Sequence, residues 1–333
     1  MKNQVTIKNQ VTIKNHKKNT LVFVSKYGTL MGLLIMIIIF SVLKPGSFAT
    51  FNNFINILNQ GSLLAIIAAG LTAVVIVGEF DMSIGYVASF AGVLVTGLMV
   101  NQNLPMSVAI PIVLIVCLII GFANGILVTK AKVSSVITTI GIGSIVVGLN
   151  YAYCSGAPIA TGVPDEFLNL SLQKMFIAIP SDIIYMIILL VVLWIVLTRT
   201  ELGQRIQAVG GNQFAAKLSG IYVDMIKTTS FMISALFAGI SGILLASLIG
   251  SGTTGAADGY MLNAFAAVFL GSATLKNGEF HIVGTFVGVF IIQIGFNGLA
   301  IFGAPTFFQY IFQGVILVGA VGLSTVATKY ASK

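Results

Sequence analysis

Apolar residues in this chain come in long uncharged runs, and polar residues gather in the short gaps between them. The stretches 31–40, 110–120 and 183–197 contain no Asp, Glu, Lys or Arg. A hydrocarbon layer ~30 Å thick needs ~20 helical residues. Segments near that size lie at 27–43, 54–77, 84–100, 106–128, 133–153, 181–197, 228–249, 261–274, 282–302 and 306–326. The pattern predicts an all-α integral membrane protein with about ten transmembrane helices. Two segments are irregular. The one at 261–274 is short, and the one at 54–77 is long and carries Gly61 and Gly70. Each is a candidate broken or re-entrant helix, which a membrane protein tolerates only where protein or a water cavity surrounds it.

Composition agrees. Only 8% of the 333 residues are charged and 57% are apolar, against ~25% charged in a soluble domain. Two cysteines, Cys117 and Cys154, sit far apart in apolar stretches and read as small buried hydrophobes. No metal-ligand cluster and no nucleophile–base pair is present, so a membrane enzyme is disfavoured.

The net charge of +8 would suggest nucleic acid in a soluble protein. In a membrane chain it reports orientation. With an even span count, the six tail lysines fall on one side with Lys130, Lys132, Arg199, Arg205, Lys217, Lys227, Lys276, Lys329 and Lys333. Only Lys44 and Lys174 fall on the other. The positive-inside bias therefore places both termini in the cytoplasm. The domain reading is a basic, disordered tail at 1–26 in which NQVTIK occurs twice, a membrane domain at 27–327, and a cytoplasmic tail at 328–333. The alternative of a signal peptide after Lys26 fits less well, because the apolar run to Leu43 exceeds the ~7–15 residues of such a core.

Packing signals suit closely spaced helices. Gly121-x-x-x-Gly125 and Gly284-x-x-x-Gly288 each set two glycines on one helix face.

The longest cytoplasmic connection runs over 199–227. It contains a short helix from Gln213 to Ser219, started by Asn212 as N-cap and stopped by Gly220. Phe214 and Leu218, four residues apart, share its apolar face beside Ala215. A helix this short is marginal alone. Its face either fills a groove on a partner or rests on lipid, and spacing alone does not choose. The chain has no Gly-Lys dipeptide, so it lacks a Walker A loop. The formal G-x-G-x-x-G at 250–255 follows a membrane helix rather than a strand and is no dinucleotide site.

The loop sequence GQRIQAVGGNQFAAKLSGI, from Gly203 to Ile221, resembles the cytoplasmic coupling loop of ribose-type permease subunits of bacterial ABC importers, a family shared with branched-chain amino-acid permeases. The segments GEFDMSIG at 78–85, Asn124-Gly125 with VSSVITT at 133–139, AAVFLGSATLKNGEFHIVGT at 266–285 and Asn297-Gly298 resemble further family motifs, in order, over about Phe48 to Leu323. The resemblance implies that Gly203, Arg205, Gly210, Gly211, Asn212, Ala215, Ala216, Gly220 and Ile221 couple the chain to a cytoplasmic ABC ATPase, with Phe214 and Leu218 as the docking face. It further implies an extracytoplasmic sugar-binding protein, a second permease copy, and ATP-Mg held by the partner ATPase with no cofactor on this chain. Two departures stand out. Gly78-Glu79 and Asn277-Gly278-Glu279 replace paired glycines, and GYMLN at 259–263 replaces an acidic GYELD segment near the outer mouth, leaving Asp258 just before it. Gly-Glu-Phe occurs at both 78–80 and 278–280, a possible trace of an internal repeat.

No ionisable group falls near the middle of an expected span, which argues against a proton- or ion-coupled pump. Asp81 and Glu79 read as capping or loop residues at a cytoplasmic turn, and His16 and His281 fall outside the spans. The polar groups inside spans are neutral: Asn124, Thr138, Thr139, Asn150, Asn263, Gln293, Asn297, Gln309 and Gln313. Of these, Asn124, Thr138, Asn150, Asn263, Gln293 and Asn297 are the candidate translocation path. Amides and hydroxyls suit a neutral sugar better than a carboxylate-bearing amino acid, which would want a cation or a helix N-terminus. The leading reading is the permease subunit of an ATP-driven importer of a ribose-type sugar in the bacterial inner membrane. A nucleoside or a sugar-like signalling molecule of the autoinducer-2 type is the same-machinery alternative, a branched-chain amino acid a weaker one, and a self-sufficient secondary transporter the different class.

Overall fold

The computed structural model describes residues 30–175, 179–272 and 278–331. The basic tail at 1–26 and the end of the C-terminal tail lie outside them. Among the described residues the chain is helical except for its connections and a two-residue hairpin, β1 (Lys174–Met175) paired antiparallel with β2 (Ile179–Pro180). Six helices are long and apolar enough to cross a membrane. These are α2 (Phe51–Ile76), α4 (Met106–Thr129), α5 (Ser135–Cys154), α7 (Ser181–Arg199), α10 (Val223–Ile249) and α12 (Ile282–Ile301). The apolar helices α1 (Leu30–Leu43) and α3 (Ile84–Val100) are shorter, as is α11 (Asp258–Ser272). The last helix, α13, runs from Phe307 to Ala331. Short helices α6 (Asp165–Leu172), α8 (Glu201–Gly211) and α9 (Gln213–Leu218) lie in connections.

The bundle is apolar on its outer faces as well as in its core. Its outward side chains on α4 and α7 are Ile112, Ile115, Ile119, Ile188, Val191 and Ile195, all exposed. Its interior is rich in Gly, Ala, Ser and Thr. Small residues let backbones approach where no hydrophobic force drives helices together. α2 is the hub, buried over most of its length between α10, α12, α7 and α11. Thr50 caps it, accepting from Asn53 N at 3.2 Å. It is one continuous helix despite Gly61 and Gly70, so the break suspected there is absent. Gly70 instead makes room for Phe237 of α10.

Both Gly-x-x-x-Gly pairs seat a neighbour. A Cβ on Gly121 would lie 2.7 Å from the Phe231 carbonyl oxygen, and one on Gly125 2.6 Å from Thr228 Cα, both on α10. Gly284 and Gly288 face Gly271 and Ala267 of α11 in the same way. A Cβ on Gly242 of α10 would collide with the Ala88 carbonyl of α3.

The Gly242 contact also sets the height of α3. Ala88, in its second turn, already faces the C-terminal third of α10. α3 therefore begins part-way up the bundle, and residues 77–83 climb to reach it from the end of α2. The chain after α10 makes the reverse excursion. Gly252 lies against Val93 and Thr96, and Ala257 against Gly85, so residues 250–257 descend along α3 before α11 begins. α11 is thus a broken element rather than a re-entrant one at the short segment 261–274, since the chain enters from the far end of α10 and leaves at His281 beside Ile76, and α3 is a second discontinuous helix whose start lies beside the start of α11.

If Gly242 fixes this approach, Gly242→Val should destabilise the purified protein by at least ~1–3 kcal/mol, because overpacking against backbone cannot relax by rotamer change. Gly148→Ala, where nothing lies within 4 Å, should leave the melting midpoint unchanged. Equal midpoints for the two variants would refute the contact.

Candidate functional site

The end of the bundle that carries Lys130, Lys132, Arg205, Lys217 and Lys227 holds the loop singled out in the sequence. Thr200 ends α7 and starts α8, its hydroxyl accepting from Gly203 N at 3.3 Å. Gly203 lies where a Cβ would strike the Val196 and Leu197 carbonyls, so α8 can fold back on the last turn of α7. Ile206 and Val209 bury its inner face. Gly210 lies against the Ile76 carbonyl, the end of the hub helix. Gly211 meets no such obstacle, and Arg205 pairs with Glu201 one turn back.

Asn212 then caps α9. Its side-chain oxygen accepts from Ala215 N at 3.0 Å. The helix closes with Gly220 N bonded to the Lys217 carbonyl and Ile221 N to the Ala216 carbonyl, both at 3.1 Å. This is the Schellman arrangement, which needs the left-handed backbone that Gly220 adopts at φ +82. Ala216 is buried beneath the helix. Phe214 and Leu218 point the other way, 73% and 75% exposed. Tyr222 and Met225 are equally bare, and they extend the apolar face onto α10. Sequence reasoning missed them because they lie past the helix stop, in the last residues of the 199–227 connection. A cleft of about 900 Å³ runs between this face and the α4–α5 turn, lined by Lys130, Lys132, Lys217 and Asp224. Asp224 holds that turn, at 3.3 Å from Lys130 and 3.6 Å from Lys132.

The same end holds the foot of the climbing segment. Gln213 Nε2 donates to the Val77 carbonyl at 3.5 Å. Gly78 turns the chain at φ +80. Glu79 accepts from Lys227 Nζ at 2.6 Å in a pair only 15% and 13% exposed. The second Gly-Glu-Phe repeats part of this geometry. Gly278 also has positive φ, and Phe80 and Phe280 both pack on Phe269.

Above Glu79 the backbone is extended, and its amides need partners. Phe80 N donates to Ser135 Oγ at 3.2 Å and Met82 N to Thr139 Oγ1 at 2.9 Å. Two residues of extended chain advance ~6.6 Å, and four residues of helix ~6 Å. Hydroxyls one turn apart on α5 therefore match alternate amides of the segment. Thr139, one of the neutral polar groups noted inside the spans, is used here to satisfy backbone. Asp81 comes next and is fully buried. Its Oδ1 accepts from Ser83 N at 3.0 Å and Ser83 Oγ at 2.5 Å, just before α3 begins. Asn124 Nδ2 of α4 donates to the same Ser83 Oγ at 3.0 Å. Asp182, in the first turn of α7, is also fully buried. The expected placement of Asp81 at a cytoplasmic turn is corrected, whereas Asp182 begins a span, where the sequence already put it. Asp81 has the local capping geometry expected of it, but tertiary contacts carry it inside.

The six path candidates do not form one wall within this chain. Asn297 exchanges amide bonds with Asn53 of α2 at 2.9 Å, and Gln293 donates to the Gln60 carbonyl at 3.4 Å, both at the end away from the lysines. Asn124 lies in the Asp81 cluster. Thr138, Asn150 and Asn263 each keep a buried side-chain oxygen with no hydrogen bond among the described residues. Gln309 and Gln313 lie half-buried on α13. Both cysteines are free thiols.

Apolar outer faces, a small-residue interior, two discontinuous helices and a capped helix projecting from one end define a multi-pass membrane protein of the permease class. Residues 53–321 match the family described as branched-chain amino acid transport system / permease component, and the chain belongs to that family. It is similar to the ribose import permease protein RbsC of Bacillus subtilis (strain 168), 36% identical over 89% of this chain and 91% of that protein. RbsC of Escherichia coli (strain K12) is 34% identical over 88% and 91%. The galactose/methyl galactoside import permease protein MglC of the same strain is 32% identical over 96% and 98%. No solved structure gives a significant match.

The Glu79–Lys227 pair should be structural and mutual. Lys227→Met leaves a carboxylate nearly buried without its partner and should lower the melting midpoint clearly, by the order of 3 kcal/mol that such orphaning costs. The exchanged double variant Glu79→Lys/Lys227→Glu should recover part of that loss. No recovery, with each single variant equally unstable, would mean the two side chains act independently.

Proposed function

We propose that this chain is the membrane subunit of an ATP-driven sugar importer. The observation that carries the reading is α9, a helix of six residues capped at both ends and held away from the bundle with its two largest apolar side chains bare. Exposed apolar patches on otherwise ordered surfaces mark contacts with a partner. Such a helix fits a groove on a cytoplasmic ATPase, which binds ATP-Mg and supplies the motion. The residues from Gly203 to Ile221 fix its base. Thr200, Gly203 and Gly210 lock α8 between α7 and α2, so a push on Phe214 and Leu218 bears on the hub helix and on Val77. The basic rim of Lys130, Lys132 and Lys217 favours an acidic border on that groove.

The names of the relatives support a sugar as solute, since they specify ribose and galactose. The neutral interior amides are consistent with it. The family description specifies branched-chain amino acids, which keeps that solute as the second reading. An extracytoplasmic binding protein would deliver the solute, and a second permease copy would complete the path. About ten spans with both termini cytoplasmic complete the topology, in a bacterial inner membrane.

Proteoliposomes holding the chain with its ATPase and binding protein should accumulate ribose-type sugar only with ATP. Phe214→Asp should insert normally yet reduce ATP-driven uptake to the level of empty vesicles. Wild-type uptake by that variant, or uphill uptake by the chain alone, would end the proposal. For topology, a cysteine at Gln213 should react with impermeant maleimide only from the cytoplasm and one at Gln173 only from outside; the opposite labelling would invert the orientation.

A further inference from the structure

The Asp81 cluster has an imbalance that one proton removes. Three oxygens in it, Asp81 Oδ2, Asn124 Oδ1 and Ser234 Oγ, are buried and have no hydrogen-bond partner among the described residues. Asp81 Oδ1, by contrast, is used twice by Ser83, and Asn124 Nδ2 is tied to Ser83 Oγ. Ser234 lies beside Asp81 and differs from the hydroxyl residues earlier on α10. Thr228, Thr229 and Ser230 each bond the carbonyl four residues back, at 2.8, 2.9 and 3.1 Å. Ser234 makes no such bond and is free to serve the cluster.

Of the three oxygens only Asp81 Oδ2 would carry charge, and no donor among the described residues reaches it. We propose that Asp81 is a proton-binding site, holding a neutral carboxylic acid whose Oδ2 hydrogen turns toward Ser234 Oγ. Asn124 donates to Ser83, and Ser83 donates to Asp81 Oδ1. The proton removes the buried charge from the one carboxylate oxygen that this chain leaves unmet, which a low-dielectric interior penalises most.

The charges around it favour this state. The first turn of α10 brings Lys227, already paired with Glu79 two residues from Asp81. α4 brings Asn124 to the cluster, and α5 brings Ser135 and Thr139 to the segment beneath it, all neutral. α11 brings Asp258, which accepts from Ser89 at 3.3 Å, two turns up α3. No cation among the described residues pairs with Asp81. The start of α3 offers an ionised carboxylate at most ~2 kcal/mol, less than the several kcal/mol an unpaired buried ion costs. A metal ion fits worse than a proton, because that same helix start repels cations and three free oxygens fall short of a full coordination shell.

The test uses the full chain purified in detergent, with infrared spectra and melting curves, and it needs no transport. At about pH 7 the wild-type-minus-D81N difference spectrum should show the carbonyl band of a protonated carboxylic acid. D81N should fold with a midpoint at or above that of the wild type, since its amide can donate to Ser234 without a charge, whereas D81A should melt earlier. The unfolded chain releases this proton near ~3.9 and the folded chain keeps it. Stability tied to Asp81 is therefore full below that value and declines as pH rises above it. Acidification from about pH 7 to about pH 5 should raise the wild-type midpoint relative to D81N. Absence of the band, a D81N protein that fails to fold or melts as early as D81A, or a wild-type midpoint that depends on sodium would each overturn the proposal.

Discussion

Backbone amides inside a membrane protein cannot turn to water, so an extended segment there survives only if protein groups meet each N–H. Residues 77–83 face that constraint and much of the structure answers to it. Ser135 and Thr139 reach Phe80 and Met82 because strand and helix spacings coincide over one turn. Ser83 and Asn124 then gather on Asp81, and Gly242 lets α3 come close enough to α10 for the segment to stay enclosed. Without those hydroxyls the connection from α2 to α3 would have to run outside the bundle, and α3 could not begin half-way up it.

Much of the remaining architecture follows from having two discontinuous helices instead of one. The descending stretch 250–257 lies along the face of α3 that the climbing segment leaves available. Gly252 and Gly85 are the points where backbone meets backbone. The two short helices thereby share a level at which polar residues gather, Ser89 with Asp258 among them. Discontinuous helices in transporters place their ends where a solute is handled, and here α3 packs on α10, α5 and α4 while α11 packs on α12, α13 and the hub α2.

The loop and the packing glycines were legible in the sequence because their signals are local. Asn212 and Gly220 bracket α9 as N-cap and left-handed stop, and the Gly121/Gly125 and Gly284/Gly288 pairs each meet a partner helix. The position of Asp81 was not legible. Gly-Glu-Phe-Asp-Met-Ser has the composition of a surface turn, and nothing in its own pattern says that α4, α5 and α10 close over it. The hub role of α2 was hidden for the opposite reason. Gly61 and Gly70 look like weak points in a helix, yet Gly70 makes room for Phe237. The solute path was the least legible part. Asn297 and Asn124 carry polar side chains for their neighbours' sake, and an amide that bonds between helices looks the same in sequence as one that faces a solute.

The climbing segment also joins the two regions of chemical interest. Its first residue, Val77, accepts from Gln213 on α9, and its third, Glu79, is clamped by Lys227 at the start of α10. Its fifth, Asp81, is already inside the bundle. Asp81 is thus only four positions along the chain from the carbonyl that α9 holds. Hydrogen bonds between named groups connect one end of this chain to its interior, and they pass through residues 77–83, which helix geometry does not hold.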